Sequence, residues 1–361
     1  MKGASALPHN AGQIVDSAFP LAAVVNGTLR APSLIPSGIL VWSDDPENLF
    51  HGVVGRTYQD RITGRFRVFD YHLNRSGTQP DGAAASPYDL CVGFALTAPA
   101  SAIGDTYVYR NKHAMGTGTH WASAAQSTLA AWFRSPAQDE NIAVLSPGES
   151  TYIEQAVAPG AVSVIMVDVV ATDGRGAERP IFVTTYAWRS TTPPYPTDPS
   201  SLPTTAHRSS PPARATFPYH TLSGSFTPAS GTAAVCISLG QNPRSGSVPA
   251  LGGEYQAGTD ALDAWAGPPI FNVGNYGVVY NLTLTLPPGS ASDIELNPRG
   301  GDDLLVAVVG PSGFPLTSPL VPATAASWFV GGGQGPGDFV LRHSLVASQP
   351  SPIWLAVRPR A

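Results

Sequence analysis

The sequence predicts an all-β protein: two β-sandwich domains of jelly-roll or Ig-like type in tandem, with one short helix in the first. Three observations carry that expectation. Apolar residues recur at every second position in many short runs, most clearly Val278, Tyr280, Leu282, Leu284 and Leu286 with polar Asn281, Thr283 and Thr285 between them. A period of two sends one set to a buried face and the other toward solvent. Glycine and proline together make up about a fifth of the chain, against the usual ~12%, as many tight turns between short strands require. At 361 residues the chain exceeds one ordinary sandwich and fits two domains of roughly 100–200 residues each.

Residues 1–35 are rich in proline, glycine and alanine and read as an extended arm lying on the first domain, with an edge strand at 22–29. The first domain, 36–189, opens with a strand at 38–43 and a turn at 44–48. Residues 64–74 alternate, with Phe66, Val68 and then Tyr71 or Leu73 inward and Arg65, Arg67 and Asp70 outward. A strand at 90–96, buried on both faces, and one at 105–110 follow. Trp121–Arg134 breaks the pattern: it is alanine-rich, and Ala122, Ala125, Leu129, Trp132 and Phe133 fall at helical spacing. Arg134 suits the carboxyl end of the helix dipole and Ser135-Pro136 stops the helix, which is expected to cap one end of the first sandwich. Strands resume at 142–145, 150–155, 162–170 and 181–188, with a turn at 146–149 and the composition of a hairpin tip at 173–176.

Residues 190–216, rich in serine, threonine and proline, read as a connector stiffened by polyproline conformation. The second domain, 217–361, takes strands at 217–225, 233–239, 278–286, 304–309, 339–346 and 353–358, the third of them central. A glycine-rich excursion at 241–269 is expected to pack back on the first domain.

The net charge of −5 and isoelectric point near 5.9 exclude the basic stripe that nucleic acid demands. No run of 18 apolar residues is present, so no helix is predicted to span a membrane. The first 25 residues make a poor signal peptide, with one lysine and a short apolar patch broken by Pro20; a leader already removed, or export by another route, would fit. Lysine occurs only at Lys2 and Lys112. A GC-rich genome or a hot habitat would each produce this bias, codon usage being the simpler account, and it also leaves few flexible ammonium groups on the surface, as suits a protein that packs against neighbours. Cys91 and Cys236 each sit in an apolar, strand-like run. Two buried thiols is the simpler reading, since a disulfide needs an oxidising compartment and close Cα atoms.

The candidates for chemistry are few. His113 and His120 flank a glycine-threonine segment read as a loop; a metal there would need further ligands such as His72 or Asp105, and polar loop residues is the simpler account. His51 and His72 read as satisfied strand histidines. Asp44, Asp45 and Glu47, like Asp139-Glu140 and Asp302-Asp303, fall in turns. Calcium takes oxygen ligands from such turns, but no EF-hand spacing or glycine-aspartate repeat occurs, so solvated turns without a cofactor are expected. There is no Gly-x-Ser-x-Gly elbow, His-Glu-x-x-His pair or phosphate loop. Trp42, Trp188, Trp265, Trp328 and Trp354 would bind sugar only if two or three rings shared an exposed face, and most sandwich tryptophans are core. Trp265 is the one marked as a candidate ligand contact.

Four strings have a further likeness. Gly274-Asn275-Tyr276-Gly277-Val278-Val279-Tyr280 resembles the most recognisable stretch of an uncharacterised exported bacterial family, chiefly cyanobacterial, known as domain of unknown function 3370. Gly12-Gln13-Ile14-Val15-Asp16 resembles its mature amino-terminal motif. Gly38-Ile39-Leu40, followed by residues 64–72, resembles its next two strands, and residues 145–150 a turn ending its first half. Trp121–Arg134 is similar to a helix in related Firmicute surface proteins. The resemblance implies an exported, envelope-associated, β-rich protein and carries over no catalytic residue. The expected function is therefore a non-enzymatic structural or adhesive protein of the cell surface or an extracellular assembly, joining copies of itself or other envelope proteins by strand or arm packing. A module binding cell-wall or extracellular glycans is the alternative, and a hydrolase with an active site assembled from distant residues comes third.

Overall fold

The computed structural model describes residues 11–16, 34–189, 201–205, 213–228, 235–239, 257–259, 269–272, 274–298, 304–310, 313–322, 326–346 and 353–360. Its elements in chain order begin with β1 (Ile14–Asp16), β2 (Ile35–Ser37), β3 (Leu40–Ser43), β4 (Asn48–Phe50), β5 (Gly55–Thr63), β6 (Arg65–Arg75), β7 (Leu90–Thr97), β8 (Thr106–Gly118) and the helix α1 (Trp121–Arg134). There follow β9 (Glu140–Leu145), β10 (Ser150–Val157), β11 (Val162–Thr172), β12 (Pro180–Arg189), β13 (Arg214–Phe217), β14 (Thr221–Phe226) and β15 (Val235–Leu239). The chain closes with β16 (Val279–Leu286), β17 (Ala291–Pro298), β18 (Val306–Val309), β19 (Pro315–Thr317), β20 (Ala326–Gln334), β21 (Gly337–Ser344) and β22 (Ile353–Pro359).

Four sheets result. A small sheet ordered β5-β12-β7-β10 faces a larger one ordered β13-β3-β6-β11-β8-β9, with β4 also on β6. A sheet ordered β15-β22-β17-β20-β1 faces another ordered β2-β14-β16-β21-β18-β19. From β5 to β12 the chain crosses between facing sheets at every step except β8 to β9, and β15 to β22 repeat that path in the same spatial order, each number raised by ten. That path is the jelly roll, run twice. The protein is all-β, of the sandwich type, and β16 lies inside its sheet as its alternation predicts.

Local chemistry drives the crossings. At Gly64, φ is +96°, a backbone angle that admits glycine readily, and the chain turns from β5 in one sheet to β6 in the other. At 146–149 the Glu149 N–H donates to Ser146 O at 2.9 Å and its carboxylate accepts from the Ser146 N–H at 2.8 Å, carrying β9 over to β10. Asp173 holds its turn by accepting from the N–H groups of Arg175 and Ala177. The turn forms as its composition predicts, but β11 and β12 belong to facing sheets, not a paired hairpin, because β11 already has β6 and β8 on its two sides.

Between the first pair of sheets lies one apolar cluster, including Phe66, Val68, Phe94, Leu96, Ile165, Val167 and Val183. A second cluster starts on the other face of the larger sheet, at Phe69, Tyr71, Val164 and Met166. It runs through Ala125, Leu129, Trp132 and Phe133 of α1 and continues into the second jelly roll at Leu282, Leu284, Val306 and Leu341. The helix therefore does not cap an end of the first sandwich. It lies on the sheet's outer face, wedged against the second jelly roll, where Gln126 Nε2 donates to Leu305 O at 3.1 Å and Ser318 O at 2.8 Å. Close approach is possible because the sheet offers Gly116, where a Cβ would come 2.3 Å from Thr128 Oγ1. The covering helix also explains why β6 is buried on both faces: Phe66, Val68, Asp70 and His72 face the small sheet, while Arg67, Phe69 and Tyr71 face the helix. Arg67 and Asp70 are thus inside, contrary to the alternation reading. The glycine-threonine segment at 114–118 is strand, not loop, paired with Val162–Met166 of β11.

The described parts of the arm, β1 and β2, pair with β20 and β14 of the second jelly roll rather than lying on the first; the strand expected at 22–29 lies outside the described residues. Of the connector, 203–205 run along β5, with Arg56 N–H donating to Pro203 O at 2.9 Å and Thr205 N–H to Arg56 O at 2.8 Å. Its end, β13, pairs with β3. Of the excursion, Thr259 reaches the first jelly roll, accepting from the Tyr58 hydroxyl at 3.0 Å. Two leading segments thus straddle both halves. β3 is parallel to β6, and its predecessor β2 joins the other half; β14 is parallel to β16, and its predecessor β13 joins the first.

Arg67 fastens the junction. Its guanidinium makes a two-pronged ion pair with Asp168 at 2.6 and 3.0 Å and donates to His220 O and Gly277 O, each at 3.0 Å. It also lies 4.3 Å from the centre of the Trp132 ring.

Candidate functional site

The groups closest to a catalytic constellation sit inside the first sandwich. β6 sends Asp70 and His72 between the sheets, where β3 contributes Ser43. His72 Nδ1–H donates to Pro46 O at 2.9 Å, and Nε2 lies 3.0 Å from Asp70 Oδ1 and 3.3 Å from Ser43 Oγ. Burial opposes charge on this imidazole, but Asp70, the Pro46 carbonyl and Asp45 outweigh it and hold the pKa above the ordinary value. Ser43 closes a ring of hydroxyls with Thr57 and Thr185 at 2.7–3.1 Å. A serine triad needs the acid on one imidazole nitrogen and the nucleophile on the other; here both share Nε2, and all three side chains are fully enclosed. The cluster is a buried polar core, in which Asp70 Oδ2 alone has no hydrogen-bond partner among the described residues.

Asp44 and Asp45 sit beside it, in a turn that is solvated at the exposed Glu47 but not at Asp45, which is buried, with Asp44 half-buried. Asp44 N–H donates to Ala213 O at 2.9 Å and Asp45 Oδ2 accepts from the Ala213 N–H at 3.2 Å, so the end of the connector closes over them. Burial, then the charges of Glu47, Asp45 and Asp70, raises the Asp44 carboxyl well above the usual range. His113 and His120 are set apart by α1. The His113 N–H donates to Ser135 Oγ past the helix's carboxyl end, whereas His120 caps its amino end, accepting at Nδ1 from Ser123. A helix of 14 residues separates its ends by roughly 20 Å. Among the described residues no group of three or more His, Cys, Asp or Glu is placed to hold a metal ion. Asp139 pairs with Arg65 at 2.6 Å, and hydrogen bonding to Arg65 lowers its pKa to about 2. Asp302, Asp303 and Trp265 lie outside the described residues. Trp42, Trp328 and Trp354 are core. Cys91 is buried as a thiol in β7, and Cys236 belongs to β15 in a different sheet.

Two surface features remain, and neither was marked in the sequence. The first is the side of the first jelly roll formed by β9 and β10, the joined edges of its two sheets. β10 pairs with β7 on one side and β9 with β8 on one side; among the described residues nothing pairs with either on the other. Neither strand contains lysine or proline, Val144 and Tyr152 are exposed by 48% and 39%, and Glu154 is engaged by the Tyr186 hydroxyl. Of the other edges, β5 is blunted by 203–205, β13 by Thr259, and β1, β2 and β19 by being three residues long; β15, of five residues, likewise has a described partner, β22, on one side alone. The second is a cleft of about 530 Å³ whose lining includes Leu73, Arg75, Thr78, Thr119, Trp121 and Val162. Its signal was present, since Trp121 opens the helix, but it was marked neither among the residues at helical spacing nor among the tryptophans considered for sugar.

Fold and surfaces together define an all-β, multi-sheet protein of the sandwich type with an unpaired sheet edge. No family model matches the chain, and no curated protein matches it. Among solved structures it is similar to the CUB1-EGF-CUB2 domain of human MASP-1/3, at 9% identity over 84% of this chain and 99% of that one, with a TM-score of 0.18. It is also similar to a chain of deformed wing virus, a honeybee pathogen, at 12% identity over 96% and 95%, again with a TM-score of 0.18. At these scores neither likeness bears on function.

Proposed function

We propose that this is a non-enzymatic structural protein, exported to the cell surface or an extracellular assembly, that joins copies of itself through strand addition. Jelly rolls serve in shells and in lectins alike, so the fold alone does not choose a role. The unpaired edge carries the reading. A row of free backbone N–H and C=O groups is a template for another strand, and edges that stay unpaired are normally protected by charge, proline, bulges or shortness. β9 and β10 have no lysine or proline and are not short, and their protection is limited to Glu140, paired with Arg110, Glu154, engaged by Tyr186, and one bulge where β9 meets β8. The two halves give an internal comparison. The strand equivalent to β10 is β20, and β1 pairs with it. A neighbour's strand on β10 would complete the first half as β1 completes the second.

Light scattering across a concentration series, with electron microscopy of the native material, tests this. Ordered oligomers or arrays are expected. A protein that stays monomeric in solution and in its native setting would sink the reading.

A further inference from the structure

The cleft beside Trp121 points to a ligand, and we infer that it takes an acidic saccharide: a pyranose ring carrying a carboxylate. Its volume of about 530 Å³ lies within the range of small-molecule sites, which combine an apolar floor with a few converging polar groups. Leu73, Val162 and the half-buried Trp121 supply the floor. A pyranose presents a face of C–H groups, which packs on the electron-rich face of an indole; the His120 ring stacks on one face of Trp121 with centroids 5.8 Å apart, and the sugar would take the other. Polar groups converge from three elements: Arg75 at the end of β6, Thr78 in the loop beyond it, and Thr119 before the helix. No described residue engages the side chains of Arg75, Thr78 or Thr119, or the Trp121 indole N–H, in a hydrogen bond or ion pair.

Arg65, Arg67, Arg110, Arg358 and Arg360 pair with carboxylates. The Arg75 side chain, like those of Arg61, Arg134 and Arg175, has no hydrogen-bond or ion-pair partner among the described residues, and it stands exposed at the rim of a cleft with an aromatic residue and no acidic one in its lining. In a chain of net charge −5, such a site favours an anion. A guanidinium binds a carboxylate through two parallel hydrogen bonds, the threonine hydroxyls suit sugar hydroxyls, and the indole supplies the ring platform. Phosphate alone would leave the floor unused, and a neutral sugar would leave Arg75 unused.

Calorimetric titration of the full chain with an oligogalacturonide, and with a malto-oligosaccharide of equal length as the neutral comparator, tests the inference. The oligogalacturonide should bind more tightly by roughly tenfold or more, the scale of one charged hydrogen-bonded contact. Arg75→Gln should abolish that preference while leaving the fold intact, since the side chain has no partner among the described residues. Trp121→Ala should weaken both sugars; if it perturbs the helix by circular dichroism, Trp121→Phe, which keeps a ring, should retain binding. Equal affinity for the two sugars, no binding at millimolar concentration, or an Arg75→Gln protein as selective as the parent would each overturn the assignment.

Discussion

His343, on β21, donates from Nδ1 to Val306 O at 2.6 Å while its Nε2 is buried without a partner. Burial holds its pKa down to about 4 from the ordinary 6.5, so it is neutral in the fold. The unfolded chain then takes up this proton more readily than the folded one. Its contribution is fully present above pH ~6.5 and is lost as pH falls toward about 4, about 3 kcal/mol over that window. Urea denaturation at pH 7 and pH 4.5 should register the loss, and His343→Gln should remove this part of the slope; an unchanged slope would show that another group carries it. His220, lowered to about 4 by burial and then by Arg67, acts in the same direction, and His72, raised, in the opposite one. At Gly277 backbone and packing combine: φ is +75°, and a Cβ would come 2.6 Å from Phe69 Cβ. Gly277→Ala should cost about 1–3 kcal/mol, read as a lower denaturation midpoint. The string from Gly274 to Tyr280 is therefore a docking turn. Asn275, itself at φ +47°, accepts from Tyr219 and donates to Tyr280.

At the scale of elements, β9 and β10 permit the sharpest intervention. Placing lysine at Val144 and Tyr152 together puts two solvated cations on the edge, the device natural sheets use to stay single. The double variant should be monomeric by light scattering with a thermal midpoint close to the parent's, because both side chains are exposed; assembly equal to the parent's would place the contact elsewhere. Most long strands were legible in the sequence because half-burial writes a period of two, as in β16. β8 beyond Arg110 was not legible, since Gly116 and Gly118 answer to the approach of α1 and not to a pleat. β17 was missed because buried Ser292, Glu295 and Asn297 mask its alternation. Arg67 was assigned to the wrong environment because a single sequence does not reveal that a helix will cover a sheet's second face; Asp70 was assigned outward on a register shift after Val68, whereas the pairing runs on unbroken and puts it between the sheets with Phe66 and Val68. Of the surfaces, neither the bare edge nor the cleft was foreseen, since each depends on which strands fail to find partners and which side chains from distant segments meet.

Taken whole, the molecule has one apolar cluster continuous from the first half's larger sheet, through α1, into the second half. The halves should unfold together, giving a single calorimetric transition whose measured and van't Hoff enthalpies agree; two separated transitions would refute this. Arg67→Ala should lower that transition by about 3–5 kcal/mol, because Asp168 and the His220 and Gly277 carbonyls would lose their common donor. Arg67→Lys should recover only part of the loss, since an ammonium does not reproduce the two-pronged geometry.

The traded leading strands have a meaning beyond stability. One unit extends from β3 to β12 and a second from β14 to β22, and each ends its larger sheet with a strand that directly precedes the other's first. That is the layout of a strand-swapped homodimer whose two copies have become one polypeptide. The halves are not identical: the first has a helix between its equivalents of β18 and β19 and, among the described residues, no second partner for β10, while in the second β1 lies on the equivalent strand β20. On the strand-addition reading proposed above, a symmetric pair would offer two such edges, and the joined chain offers this one on its first half alone.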